Sequence, residues 1–110
     1  MASIRYSPDA ISDLDQISDY IEQELSSPIA AINTIDKIQN TIENLSAFPL
    51  MGPLLSSIAD LDTDYRFLVC GLYIAFYRTD EKHVFIDRII YGKRDYIAVL
   101  FPKNSLNPEF

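Results

Sequence analysis

The sequence predicts an α+β domain: a helical hairpin packed on an antiparallel sheet, in the order β-α-α-β-β-β with a short C-terminal element. Two Ser-Pro pairs, Ser7-Pro8 and Ser27-Pro28, each open a stretch whose apolar residues recur at helical spacing. From Tyr65 onward the chain turns aromatic and β-branched. The runs in this second half are joined by Cys70-Gly71 and by residues 79–82. Connections that short force consecutive strands to be antiparallel.

Residues 3–6 read as the first strand. Ser7 then offers an oxygen to an orphan helix N–H, Pro8 at the first helical position sacrifices no needed donor, and Asp9 favours the positive end of the dipole. Ile11, Leu14, Ile17, Ile21 and Leu25 follow at steps of three and four, one face of a helix. The acids Asp13, Asp15, Asp19 and Glu22 fall mostly off that stripe and are expected in water. The second helix carries Ala31, Ile35, Ile38, Ile42 and Leu45, so residues 8–46 form an αα-hairpin with facing apolar stripes.

Phe48-Pro49-Leu50-Met51-Gly52-Pro53 reads as a loop, and Ile58 and Leu61 are expected to tuck the segment after it onto the core. Strands are expected at 65–69, 72–78 and 83–91. Both faces of the last are apolar, with Val84, Ile86 and Ile90 on one and Phe85, Ile89 and Tyr91 on the other. This leaves open which face meets the helices. Residues 95–101 are apolar enough to pack back as a short helix. The domain is therefore expected to span 1–101, with 102–110 as a C-terminal tail.

Composition narrows the class. At 48% hydrophobic residues the 110-residue chain can bury a core instead of remaining disordered. Its single cysteine rules out an internal disulfide framework and a cysteine metal site, so neither metal nor cofactor is expected. Cys70 reads as a small buried residue and His83 as an exposed one beside a turn. The longest apolar run, 67–77, is far short of the roughly 20 residues of a membrane span. The N-terminus lacks the apolar core of a signal peptide. A cytoplasmic protein without membrane contact is expected.

The net charge of −7 argues at first against a nucleic-acid partner, but it is unevenly spread. Residues 1–64 hold two bases against eleven acids, a net −9, whereas 65–110 hold seven bases against five acids, a net +2. Asp87 and Arg88 are neighbours on opposite faces of an extended strand and cannot pair with each other.

The phrases Tyr73-Ile74-Ala75-Phe76-Tyr77-Arg78 and Ile86-Asp87-Arg88-Ile89-Ile90-Tyr91-Gly92-Lys93-Arg94-Asp95, after an αα-hairpin and a Pro/Gly loop, resemble the RelE/ParE superfamily, the toxins of type II toxin–antitoxin modules. The resemblance implies a RelE/ParE-like fold and a growth-arresting toxin neutralised by a cognate antitoxin, with operator DNA reached only through that antitoxin. It implies one of two targets. ParE-like members bind DNA gyrase, and RelE-like members cut mRNA on the ribosome. A third reading is a non-toxic module that only binds its antitoxin.

The RelE-like reading would make Arg66 and Arg94 catalytic. Metal-free RNA cleavage also needs a general base, an acid and further cations. The positions that the resemblance assigns to those groups hold Leu68, Ile74 and Leu100. This departure favours the ParE-like reading, as does the thin +2 field for gripping ribosomal RNA. Contacts to target or antitoxin are then expected from Arg66, Arg88, Tyr91, Lys93, Arg94 and Tyr96, with the antitoxin on the mildly basic second half.

Overall fold

The computed structural model describes residues 1–102. Strand β1 (Ser3–Tyr6) leads into helix α1 (Pro8–Leu25), followed by helix α2 (Pro28–Glu43) and a 3-10 turn at Asn44–Ser46. A loop containing a second 3-10 turn, Leu55–Ser57, reaches strands β2 (Arg66–Cys70), β3 (Tyr73–Thr79) and β4 (His83–Tyr91), and a short helix α3 (Tyr96–Leu100) closes the described chain. The expected tail, apart from Pro102, lies outside the described residues.

Both helix starts follow the sequence logic. Ser7 Oγ accepts from the Ala10 N–H at 2.9 Å and Ser27 Oγ from the Ala30 N–H at 3.1 Å, each just before a proline. Between the helices the chain reverses at Ser26, whose φ of 47° is left-handed. The two strand hairpins are equally local. Gly71, at φ +66°, makes the β2–β3 turn. Asp80 closes the β3–β4 turn, where its Oδ1 accepts from the backbone N–H groups of Lys82 and His83 at 2.8 and 2.7 Å. Those bonds favour the carboxylate and hold Asp80 below its ordinary pKa.

The sheet order is β1-β4-β3-β2. β2, β3 and β4 are antiparallel neighbours as expected, whereas β1 lies parallel to β4, with Ser3 opposite His83. The helical hairpin belongs to the crossover that carries the chain from β1 at one edge of the sheet to β2 at the other.

One irregularity decides which residues are inside. Phe76 faces Arg88 but Tyr77 faces Ile86, so Asp87 is an extra residue in β4, a β-bulge. The bulge swaps the faces of the strand. Val84 and Ile86 before it and Ile89 after it all join the core beneath the helices, and Ile90 turns to the other side. Strict alternation would have put Ile90 with Val84 and Ile86.

Two cores result. Beneath α1 and α2, Ala10, Leu14, Ile38, Ile42 and Leu45 meet Ala75, Tyr77, Val84, Ile86 and Ile89. On the opposite face, Phe76 and Ile90 are covered by Leu55 and by Tyr96, Ile97, Leu100 and Phe101 from α3 and its end. Leu55, fully buried, is the anchor of the loop. Leu61 packs beside it as expected, but Ile58 stays 58% exposed. In α1 the expected stripe is shifted. Ile11 and Leu25 are exposed, while Asp13 is buried beside Leu14. The reason is Arg88, which offers the carboxylate a partner inside.

Candidate functional site

Asp13 is set into the helix–sheet interface by α1. Its Oδ2 accepts from Arg88 Nε at 2.8 Å and from the Ile89 N–H at 2.9 Å, and its Oδ1 accepts from Arg88 Nη2 at 2.9 Å. A two-pronged guanidinium–carboxylate pair plus a backbone donor satisfies a buried acid well. The bonds that Arg88 donates to Asp13 raise the Arg88 pKa further above its already high ordinary value. Arg88, expected on a contact surface, is thus a strut between helix and sheet.

The bulge residue Asp87 does not pair with Arg88, but the two are not on opposite faces as expected: the bulge breaks the alternation, and both side chains line one cleft. The Asp87 carboxylate pairs with Arg78 at 2.9 Å. Its backbone carbonyl accepts from Ser7 Oγ at 2.7 Å. The guanidinium carbon of Arg78 lies 5.3 Å from the centre of the Tyr65 ring, a cation–π contact. Burial, then the hydrogen bond with Asp87, push the Tyr65 phenol up. Ser7, Asp9, Tyr65, Arg78, Asp87, Arg88 and the end of α3 line an open cleft of about 360 Å³. Its cations already have carboxylate partners, which weakens it as an anion site.

Arg66 opens β2 and turns under the Pro/Gly loop. Its Nη1 donates to the Gly52 carbonyl at 2.8 Å and reaches the Leu50 carbonyl at 3.5 Å. Arg94 stands elsewhere. Arg66 is opposite Tyr77, whereas Tyr91, just before the Gly-Lys-Arg corner, shares a row with Tyr73 and Cys70. Four residues of β2, ~13 Å of strand, separate those rows. The two arginines named as catalytic in a RelE-like reading therefore belong to opposite ends of the β2–β3 hairpin.

The remaining expected contact residues divide. Tyr96 is half-buried, its ring 5.2 Å from that of Phe76, and helps seal the second core. Tyr91 is 41% exposed, with its ring 5.9 Å from Tyr73. Lys93 and Arg94 are exposed in the turn after β4, where the Arg94 N–H donates to the Tyr91 carbonyl at 3.0 Å. Tyr91, Lys93 and Arg94 thus form one accessible corner. Cys70 is buried as expected, and burial pushes its thiol up to about 11, which leaves it a poor nucleophile. Half-buried His83 stacks on Phe85 and sits 3.2 Å from Asp80.

Sequence reasoning missed the Arg78–Asp87–Tyr65 group and the buried role of Asp13. The one available signal was the adjacent Asp87-Arg88 pair, two opposite charges within an otherwise apolar strand, each of which needs a partner from another element.

Among the described residues no helix is long and apolar enough to cross a membrane. The comparisons agree with the architecture. A family model described as the ParE toxin of the type II toxin–antitoxin system parDE matches residues 4–96. No curated protein sequence matches significantly. Among solved structures, the chain is similar to the chromosomal ParDE toxin–antitoxin system from P. aeruginosa, with a TM-score of 0.71 and 23% identity over 84% of this chain and 98% of that one. It also overlaps YafQ from E. coli, at a TM-score of 0.48 and 18% identity over 92% of this chain and 99% of that one. The family match runs from β1 to the first residue of α3, and the chain belongs to the ParE toxin family of type II toxin–antitoxin systems, whose members pair with a cognate antitoxin.

Proposed function

We propose that this toxin arrests growth in the cytoplasm by binding DNA gyrase, without RNA-cleaving chemistry of its own. The sealed second face of the sheet carries this reading. RNA cleavage requires a base, an acid and cations grouped around one phosphate. Two of the positions that the family resemblance assigns to such groups, Ile74 and Leu100, pack with Phe76 and Ile90 in an apolar cluster. The third, Leu68, packs into the core under the helices. Arg66, Arg78 and Arg88 are engaged within the chain. A toxin that works by occupying a protein target needs a surface instead, and this chain keeps its charge and apolar exposure for one.

The cognate antitoxin is assigned to the corner made by Tyr91, Lys93 and Arg94, where the mildly basic half of the chain meets solvent. Operator DNA is then reached only through the antitoxin.

The direct test is supercoiling by purified gyrase with added toxin, beside mRNA integrity on programmed ribosomes. Gyrase inhibition with intact mRNA is expected. Normal supercoiling with in-ribosome cuts would replace this reading with the nuclease.

A further inference from the structure

The loop between α2 and β2 presents large apolar side chains to water although its backbone is firmly held. Phe48 is 65% exposed, Leu50 64% and Met51 44%. A slack loop would fold such residues inward. This one is fastened from below. The buried Tyr77 donates its hydroxyl proton to the Pro49 carbonyl at 2.8 Å, and the same oxygen accepts from the Gly52 N–H at 2.9 Å. Arg66 holds the Gly52 carbonyl. The Phe67 N–H donates to the Pro53 carbonyl at 3.0 Å, and the Met51 N–H to the Phe48 carbonyl at 3.1 Å. Gly52 lies so close to β2 that a Cβ would fall 2.3 Å from the Phe67 carbonyl oxygen. Side chains of β2 and β3 thus grip the loop by its backbone and leave its own side chains outside. Apolar anchors fixed before binding lose little entropy on binding, as tight protein contacts require.

Charge selects the partner. Residues 38–65 contain no Lys, Arg or His, and their charged residues are Glu43, Asp60, Asp62 and Asp64; the next residue, Arg66, spends its guanidinium on the Gly52 and Leu50 carbonyls beneath the loop. With that cation held by backbone carbonyls, the acids dominate the stretch, which disfavours nucleic acid, an anionic membrane and a second copy of the same segment. An apolar cleft in a protein, bordered by Lys and Arg, is attracted.

We propose that the 47–54 loop is the anchor by which the toxin grips its target protein, with Phe48, Leu50 and Met51 seated in an apolar cleft rimmed by basic residues. The inference rests on the reading that the target is a protein, gyrase.

The test uses the full-length chain, purified gyrase holoenzyme and the cognate antitoxin. The triple variant Phe48→Ser, Leu50→Ser, Met51→Ser changes only exposed side chains. Its gyrase affinity should fall on the order of 100-fold, with antitoxin affinity within about twofold of wild type. Replacing Asp60, Asp62 and Asp64 by Asn should slow association with gyrase about tenfold at low salt. If the triple variant binds gyrase as wild type does, or loses the antitoxin while keeping gyrase, the anchor assignment is overturned while the gyrase reading stands. Unchanged association of the Asn variant overturns the basic rim. If the wild type ignores gyrase, the target reading fails, and growth arrest on expression reads the loop instead. Arrest abolished by the triple substitution supports an anchor for another protein, and undiminished arrest overturns it. A wild type that neither binds gyrase nor arrests growth overturns both.

Discussion

At the scale of single residues, Asp13 and Arg88 form the most consequential pair. Both are largely withdrawn from water, with side-chain exposures of 10% and 26%. Removing one partner strands the other and costs far more than removing both. Asp13→Ala should therefore lower stability by about 3 kcal/mol, read as a shifted urea midpoint. The double change Asp13→Leu, Arg88→Met should recover part of that loss only. The Ile89 N–H, which Asp13 also accepts, would stay without its acceptor. A double variant as unstable as Asp13→Ala would show that the guanidinium was never the problem. The pair was illegible in the sequence for a physical reason. Helical periodicity sorts residues by polarity, so an acid is assigned to water, and the partner that reverses this assignment lies 75 positions away. The same rule counted Ile11 and Leu25 as core, although the sheet does not reach them.

At the scale of elements, local chemistry was readable. Ser7 and Ser27 cap their helices, the prolines follow, and the β2–β3 and β3–β4 hairpins sit within one residue of their expected limits. What escaped was non-local. The parallel seating of β1, the bulge at Asp87 and the choice of face that the expected short helix α3 covers each depend on contacts between distant segments. Nor could residue types show that Arg66 serves the Pro/Gly loop, since its acceptors are backbone carbonyls. The brace itself makes a prediction. Tyr77→Phe deletes the hydroxyl that serves Pro49 and Gly52 at once and should cost about 1–2 kcal/mol. Amide exchange should quicken most at Gly52. Uniformly faster exchange across the sheet would mean that Tyr77 supports the core and not the loop. Gly52→Ala should be worse still, because the strand behind it is backbone and cannot give way.

At the scale of the whole molecule, the two proposed contacts fall on oppositely charged parts of the chain. The helical half and its loop are acidic, whereas the 91–94 corner belongs to the half with a net +2. An antitoxin at the basic corner and a basic-rimmed target at the loop would then approach from different sides. Reversing the corner with Lys93→Glu and Arg94→Glu should weaken antitoxin binding about tenfold at low salt and little at high salt, measured by titration calorimetry. Gyrase inhibition by the same variant should persist. Equal loss of both would place the two partners on one surface.

The parallel seating of β1 against β4 also governs when the toxin comes into being. Within this sheet the first strand in the sequence pairs with the last, Ser3 opposite His83 and Tyr6 opposite Ile86. Closing a loop of that length costs about 4 kcal/mol of chain entropy beyond a constant term. Until β4 emerges, β1 has no neighbour and the core under the helices lacks Val84, Ile86 and Ile89. A chain truncated before β4 should therefore remain unfolded, read as absent ellipticity and loss of antitoxin binding, so that folding waits until synthesis of the domain is nearly complete.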